Sequence, residues 1–155
     1  MTPVGSDSTT RRRFLALGAV GAAAWLAMGR GAFAASDLFT SEFKKVVGDR
    51  KLLDGKIKIE LPTIAENGLV VPLNFEVESP MTAADYVKAV HFFAEDNPNP
   101  QVASFFFTPL APKAAASIRI RLARTQNIVA VAELSNGDFY VARKEVKVTI
   151  GGCGG

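Results

Sequence analysis

The sequence predicts an all-β fold: an immunoglobulin-like β-sandwich of about seven strands, a short N-terminal helix and a flexible C-terminal Gly-Gly-Cys-Gly-Gly arm. Three observations carry that reading. Most of the chain after residue 50 alternates apolar with polar residues in short runs, the period of a half-buried strand. Turn signals separate the runs, among them Asn97-Pro98-Asn99-Pro100 and Asn136-Gly137, the latter a strong hairpin signal. The one cysteine of the chain, Cys153, lies in the glycine-rich terminus, so no internal disulfide is available and the core must hold itself.

Residues 1–34 read as an export signal outside the fold. Thr10-Arg11-Arg12-Arg13-Phe14-Leu15 fits the twin-arginine pattern, with Arg11 and Arg12 as the pair, and an apolar run from Phe14 to Met28 follows. That run is shorter than the roughly 20 residues of a membrane span. Ala32-Phe33-Ala34 offers small residues to a signal peptidase, which places the cut after Ala34. An uncleaved anchor is the alternative. The expected destination is the periplasm, with no membrane attachment after cleavage.

Cleavage alters the charge balance. Of 18 basic and 15 acidic residues, the signal holds four arginines and Asp7, leaving 14 of each. The basic excess belongs to the signal, and no basic run with interleaved aromatics survives to suggest nucleic acid. Twin-arginine export carries folded proteins, usually with a cofactor or a partner. No haem, zinc or dinucleotide motif is present, so no cofactor and no metal are expected, and a co-exported partner is the better reason for the route.

Residues 35–150 make one domain. Ser36 is placed to cap a helix over Asp37–Val47, with Leu38, Phe39, Phe43, Val46 and Val47 as its apolar side and Gly48 as its stop. Lys56–Leu61 alternates, with Ile57, Ile59 and Leu61 on one face. Leu69–Ser79 sets Leu69, Val71, Leu73, Phe75 and Val77 against Asn74, Glu76 and Glu78, and Pro72 within it marks an edge or a bulge. Tyr86–Glu95 and Gln101–Thr108 flank the Asn-Pro-Asn-Pro turn. Ser117–Ala123 alternates Ile118, Ile120 and Leu122 with Arg119 and Arg121. Ile128–Leu134 and Phe139–Ile150 form the last hairpin, with Val146, Val148 and Ile150 inward, and the final strand leads directly into the arm.

Candidate chemistry is sparse in the folded domain. His91, the single histidine, shares strand parity with Val87, Ala89 and Phe93 and reads as a packed or edge residue. Phe105-Phe106-Phe107 reads as core plus one exposed ring, and Arg119, Arg121 and Arg124 as a solvated face or, alternatively, a partner contact. No nucleophile-elbow serine and no paired carboxylates appear.

The arm is different. Residues 151–155 have one side chain, that of Cys153, and nothing local offsets the cost of ordering them, about 1–2 kcal/mol per residue. Gly151, Gly152, Gly154 and Gly155 give flexibility and a thin profile suited to a narrow channel. At about 3.5 Å per residue the thiol reaches roughly 10 Å beyond Ile150. No cation adjoins Cys153 in sequence, and the terminal carboxylate opposes a second negative charge, so the thiol carries no activating group of its own. A nucleophilic enzyme needs a base and an oxyanion site around its thiol. The physics favours a covalent carrier whose activating groups belong to whichever enzyme receives the arm. The alternatives are a spacer or fusion scar, and a structural or adhesive sandwich whose tail cysteine forms an intermolecular disulfide.

Gly151-Gly152-Cys153-Gly154-Gly155 after Val146-Lys147-Val148-Thr149-Ile150 resembles the SoxY family, the sulfur carriers of bacterial sulfur oxidation. So do Asn97-Pro98-Asn99-Pro100, Ile118-Arg119-Ile120-Arg121-Leu122-Ala123 and the twin-arginine signal. The resemblance implies that Cys153 covalently holds sulfur derived from thiosulfate. It also implies a SoxZ-like partner in a heterodimer or heterotetramer. Transient partners would be the cytochrome SoxAX, the hydrolase SoxB and, where present, SoxCD, with the carrier catalysing no step alone. A C-terminal Gly-Gly also ends ubiquitin-like sulfur carriers, but those are cytosolic, and an export signal and a sandwich pattern argue against them.

Overall fold

The computed structural model describes residues 30–151, with side chains from Asp37 onward. The signal motif at Arg11 and Arg12, and Gly152, Cys153, Gly154 and Gly155, lie outside the described residues. The chain partitions into two units, residues 1–34 and 35–155, and every described strand belongs to the second.

One helix and nine strands are present among the described residues. The helix α1 spans Arg30–Val47. It ends as the sequence predicts: Gly48 adopts φ +62° and its N–H returns to the Lys44 carbonyl at 2.8 Å, the left-handed cap that glycine makes without strain. Its start differs from expectation. The helix begins at Arg30, so Ser36 lies within it and does not cap it.

The strands are β1 (Leu52–Asp54), β2 (Ile57–Glu60), β3 (Ile64–Ala65), β4 (Val71–Val77), β5 (Val87–Ala94), β6 (Gln101–Phe106), β7 (Ala114–Ile120), β8 (Gln126–Leu134) and β9 (Phe139–Val148). Two sheets face one another. The larger runs β1-β9-β8-β5-β6 with β3 also on β9, and the smaller runs β2-β4-β7. The seven expected strands are all here, with their ends shifted by a few residues at most. The additions are β1 and β3, both parallel to β9 and both too short to leave an alternation pattern. Asn136-Gly137 does join β8 to β9, with Gly137 at φ +89°.

The burial pattern of β4 alternates without a fault, and Leu73, Phe75 and Val77 share one core with Val90, Phe92 and Ala94 of β5 and with Ile128, Ala130 and Ala132 of β8. Leu69 falls before this strand and is exposed. Pro72 pairs only with Arg119 of β7, because β2 reaches no further than Asn74. It therefore occupies a stretch of β4 with one neighbour, where a missing N–H costs little.

Strands β5 and β8 are buried on both faces, and the reason is α1. Phe39, Phe43, Val46 and Val47 cover Phe93, Val129, Val131 and Phe139 on the outer side of the larger sheet. Phe93 is fully buried there. Leu38, expected on this apolar side, is exposed instead, since a helix on a sheet buries only a stripe.

Candidate functional site

The described part of the site is the root of the arm, where β9 gives out. Val148 is the last strand residue; Thr149 and Ile150 bend away from the ladder, and Ile150 is 67% exposed rather than inward-facing as its parity predicts. The bend does not leave these residues loose. Lys147 N–H donates to the Thr63 carbonyl at 3.0 Å and Thr149 N–H to the Ala65 carbonyl at 3.1 Å, continuing the β3 pairing. The Thr149 hydroxyl donates to the Glu66 carbonyl at 2.8 Å. Buried Gly68 donates its N–H to the Ile150 carbonyl at 2.7 Å.

A second loop holds the other side. Val148 N–H donates to Thr125 Oγ1 at 2.9 Å. Gly151 follows, with the Ala123 carbonyl oxygen pressed against it: a Cβ built on Gly151 lies 2.1 Å from that oxygen. Glycine is thus required at 151 by contact with backbone. This is a reason apart from the flexibility expected of the arm, and it depends on a residue distant in sequence.

The loop carrying Ala123 is itself fixed by two buried amides, Asn97 and Gln126. Asn97 Oδ1 accepts the Ala123 N–H at 2.9 Å and Gln126 Nε2 at 2.9 Å, and Asn97 Nδ2 donates to the Arg121 carbonyl at 2.8 Å. Gln126 Nε2 also reaches the Arg124 carbonyl at 3.1 Å, and its Oε1 accepts the Asp96 N–H at 2.8 Å. In sequence, Asn97-Pro98-Asn99-Pro100 reads only as a rigid turn. Nothing in the local pattern shows that one of its amides faces inward.

The other candidate residues take structural places. His91 is buried on β5, with Nδ1 and the Ser104 hydroxyl 2.8 Å apart and the Phe106 ring edge-on at 5.9 Å. Burial pushes its pKa below the usual 6.5, against a smaller opposing pull from Glu133. Phe105 and Phe107 pack on the core while Phe106 is 76% exposed, as the triple-phenylalanine run predicts. Arg119, Arg121 and Arg124 are exposed. A concavity of about 280 Å³ between Asn97, Asn99, Gln101 and the first two arginines is polar and holds no nucleophile–base pair.

Among the described residues no group of three or more His, Cys, Asp or Glu side chains is placed to hold a metal ion. No described helix is long and apolar enough to cross a membrane. What the described residues provide is a hydrogen-bonded root for the terminal segment, with Gly151 against the Ala123 carbonyl.

A family model described as "Sulfur oxidation protein SoxY" matches residues 43–153. Among solved structures, the sulfur carrier protein SoxY from Chlorobium limicola f thiosulfatophilum is 33% identical, with a TM-score of 0.62, covering 74% of this chain and 98% of that one. A superoxide reductase (neelaredoxin) from Ignicoccus hospitalis is 23% identical, with a TM-score of 0.53, covering 61% of this chain and 80% of that one. That second likeness shows the sandwich fold alone. No curated protein matches.

Proposed function

This chain belongs to the SoxY family of sulfur oxidation proteins, and from that premise we propose that it is a sulfur carrier, not an enzyme, whose substrate is held on Cys153. The observation that carries the reading is the placement of the thiol. In sequence the sole cysteine follows five residues after Val148, the last residue of a strand tied down from both sides. The fold supplies the mount, and the chemistry comes from outside.

The loading step joins thiosulfate to the thiol. The Cys153 sulfur forms a bond to the sulfane sulfur of thiosulfate, the thiol proton goes to solvent, and two electrons pass to a c-type cytochrome of the SoxAX kind. Hydrolysis of the resulting S-thiosulfonate by a SoxB-like enzyme takes one water, releases sulfate and protons, and leaves a persulfide on Cys153. A SoxCD-like enzyme, where present, oxidises the outer sulfur of that persulfide to a sulfonate, with oxygen from water and the electrons passing to a cytochrome acceptor, and a second hydrolysis releases sulfate and restores the thiol. A free thiol near pKa 8.5 is only a few per cent thiolate at neutral pH, so the loading enzyme provides the activation.

Location and assembly follow the same reading. The protein is exported folded by the twin-arginine signal, cut after Ala34, and works in the periplasm bound to a SoxZ-like subunit. An exported protein loaded by periplasmic enzymes has no use for the thiol before export, which suits transport with the partner already in place.

Intact mass of the protein from cells grown on thiosulfate, before and after reductant, tests this. Adducts of one sulfur or one thiosulfate group on Cys153, removed by reductant, are expected, on a chain beginning at Ala35. A mass of twice the chain that halves on reduction, without sulfur adducts, overturns the carrier reading in favour of a structural disulfide.

A further inference from the structure

We propose that Asn97 is a positioning residue for the thiol arm: with Gln126 it holds the Ala123 carbonyl against which Gly151 packs, and so fixes the point from which the arm leaves the sandwich. Asn97 is 4% and Gln126 5% exposed. Between them they bond main-chain groups of Arg121, Ala123 and Arg124, the loop that joins β7 to β8. That loop has no ladder of its own. Left to itself, ordering it costs backbone conformational entropy.

The turn that presents Asn97 is stiff, since Pro98 and Pro100 fix their own φ and restrict the residues before them. Its N–H closes on the Ala94 carbonyl at 3.3 Å, and Ala94 N–H on the Pro100 carbonyl at 2.8 Å, so the turn is anchored to β5. From there the constraint passes without a gap to the arm. Leu122 N–H donates to the Gly68 carbonyl at 2.8 Å, and Gly68 N–H to the Ile150 carbonyl. Thr125 holds Val148. The Ala123 carbonyl closes the circuit against Gly151.

Two facts tie this network to the arm and not only to the fold. A backbone approach that leaves no room for a Cβ persists only where both partners are held, and Asn97 holds one of them. The amides are also buried, so a half-broken network leaves unsatisfied groups and is costly; the seat is kept whole or lost. The inference rests on the carrier reading for the use made of the arm, but the geometry of its root stands apart from sulfur chemistry. Placement matters because the arm is short, and a shift of about 1 Å at a reacting centre can cost on the order of a hundredfold in rate.

The test compares the full exported protein with Asn97→Ala and Gly151→Ala. The second variant changes no residue of the amide network and forces Gly151 and Ala123 apart, so it tests the contact that Asn97 is proposed to hold even if the first fails to fold. Three readouts are taken: backbone order parameters at Ile150 and Gly151, alkylation of Cys153 by iodoacetamide, and loading from thiosulfate by the SoxAX-type cytochrome. In Asn97→Ala the order parameters are expected to fall from about 0.85 to below about 0.6, while Val131 is unmoved. Alkylation should stay within about twofold in both variants, and loading should drop at least about tenfold in both. Unchanged order at Ile150 and Gly151 in Asn97→Ala overturns the proposal, as does normal loading of Gly151→Ala. If the wild-type protein itself takes no thiosulfate, the carrier reading fails, and the order parameters still decide whether Asn97 holds the root.

Discussion

The hydroxyl of Thr149 donates to the main-chain carbonyl of Glu66 at 2.8 Å, joining the residue after the last strand to a loop 83 positions earlier. With the Gly68–Ile150 bond it makes the arm's root part of the sandwich and not of the tail. Replacing Thr149 by Val keeps the shape and removes the donor. The bond is solvent-exposed, so the expected loss is about 0.5–1 kcal/mol. The more telling result is local: amide exchange at Gly68 and Thr149 should quicken more than at Val131, measured by native-state hydrogen exchange.

Phe93→Ala tests the helix cover. Phe93 meets Phe43 at 5.6 Å and Phe39 at 6.2 Å between centroids, both edge-on, beneath α1. Removing a fully buried ring typically costs about 3–5 kcal/mol through lost transfer energy and the cavity left behind. Urea unfolding followed by circular dichroism should show a loss of that size. A cost under about 1 kcal/mol would mean that the outer face is not part of the core.

Gly137→Ala tests the hairpin. At φ +89° a side chain is strained, although a Cβ there meets nothing within 4 Å, so the penalty is conformational and not steric. A loss of about 1 kcal/mol is expected, with the strand pairing of β8 and β9 intact by chemical shift.

His91 gives the stability a slope with pH. Its folded pKa lies below the ordinary 6.5 because burial disfavours the charged ring. Above pH 6.5 the ring is neutral in both states and its contribution is complete. As pH falls through 6.5 the unfolded chain takes up the proton first, so stability declines until the lower folded pKa is reached. His91→Gln should flatten this part of the curve, seen as urea midpoints that change less between about pH 7.5 and 5.5 than those of the wild type.

Cys153→Ser should abolish every sulfur adduct in the mass spectrum and leave the melting temperature unchanged, as the carrier proposal requires of a thiol that serves chemistry and not packing. A drop in melting temperature would show that Cys153 has a structural role and would weaken the carrier proposal.

The sequence by itself determined the sandwich. Alternation along Val71–Val77, the Asn136-Gly137 turn and the glycine stop at Gly48 are local properties, and each was legible because strand, hairpin and helix cap are made by residues near one another in the chain. The glycine-rich terminus is likewise a local pattern, and Gly152 to Gly155 lie outside the described residues. The tertiary structure alone decided the rest. β1 and β3 join β9 through backbone bonds to a partner far along the chain, and two or three residues leave no periodic trace. Phe93, Val129 and Val131 are buried because α1 lies over them; the near-continuous apolar runs of β5 and β8 mark two buried faces but do not say which element covers the second. Asn97 reads as a turn residue until its amide is seen among Arg121, Ala123 and Gln126. Gly151 reads as one more flexible glycine until the Ala123 carbonyl is found in the space its Cβ would need. Periodicity reports which face a side chain takes; it carries no information about which distant backbone comes to meet it.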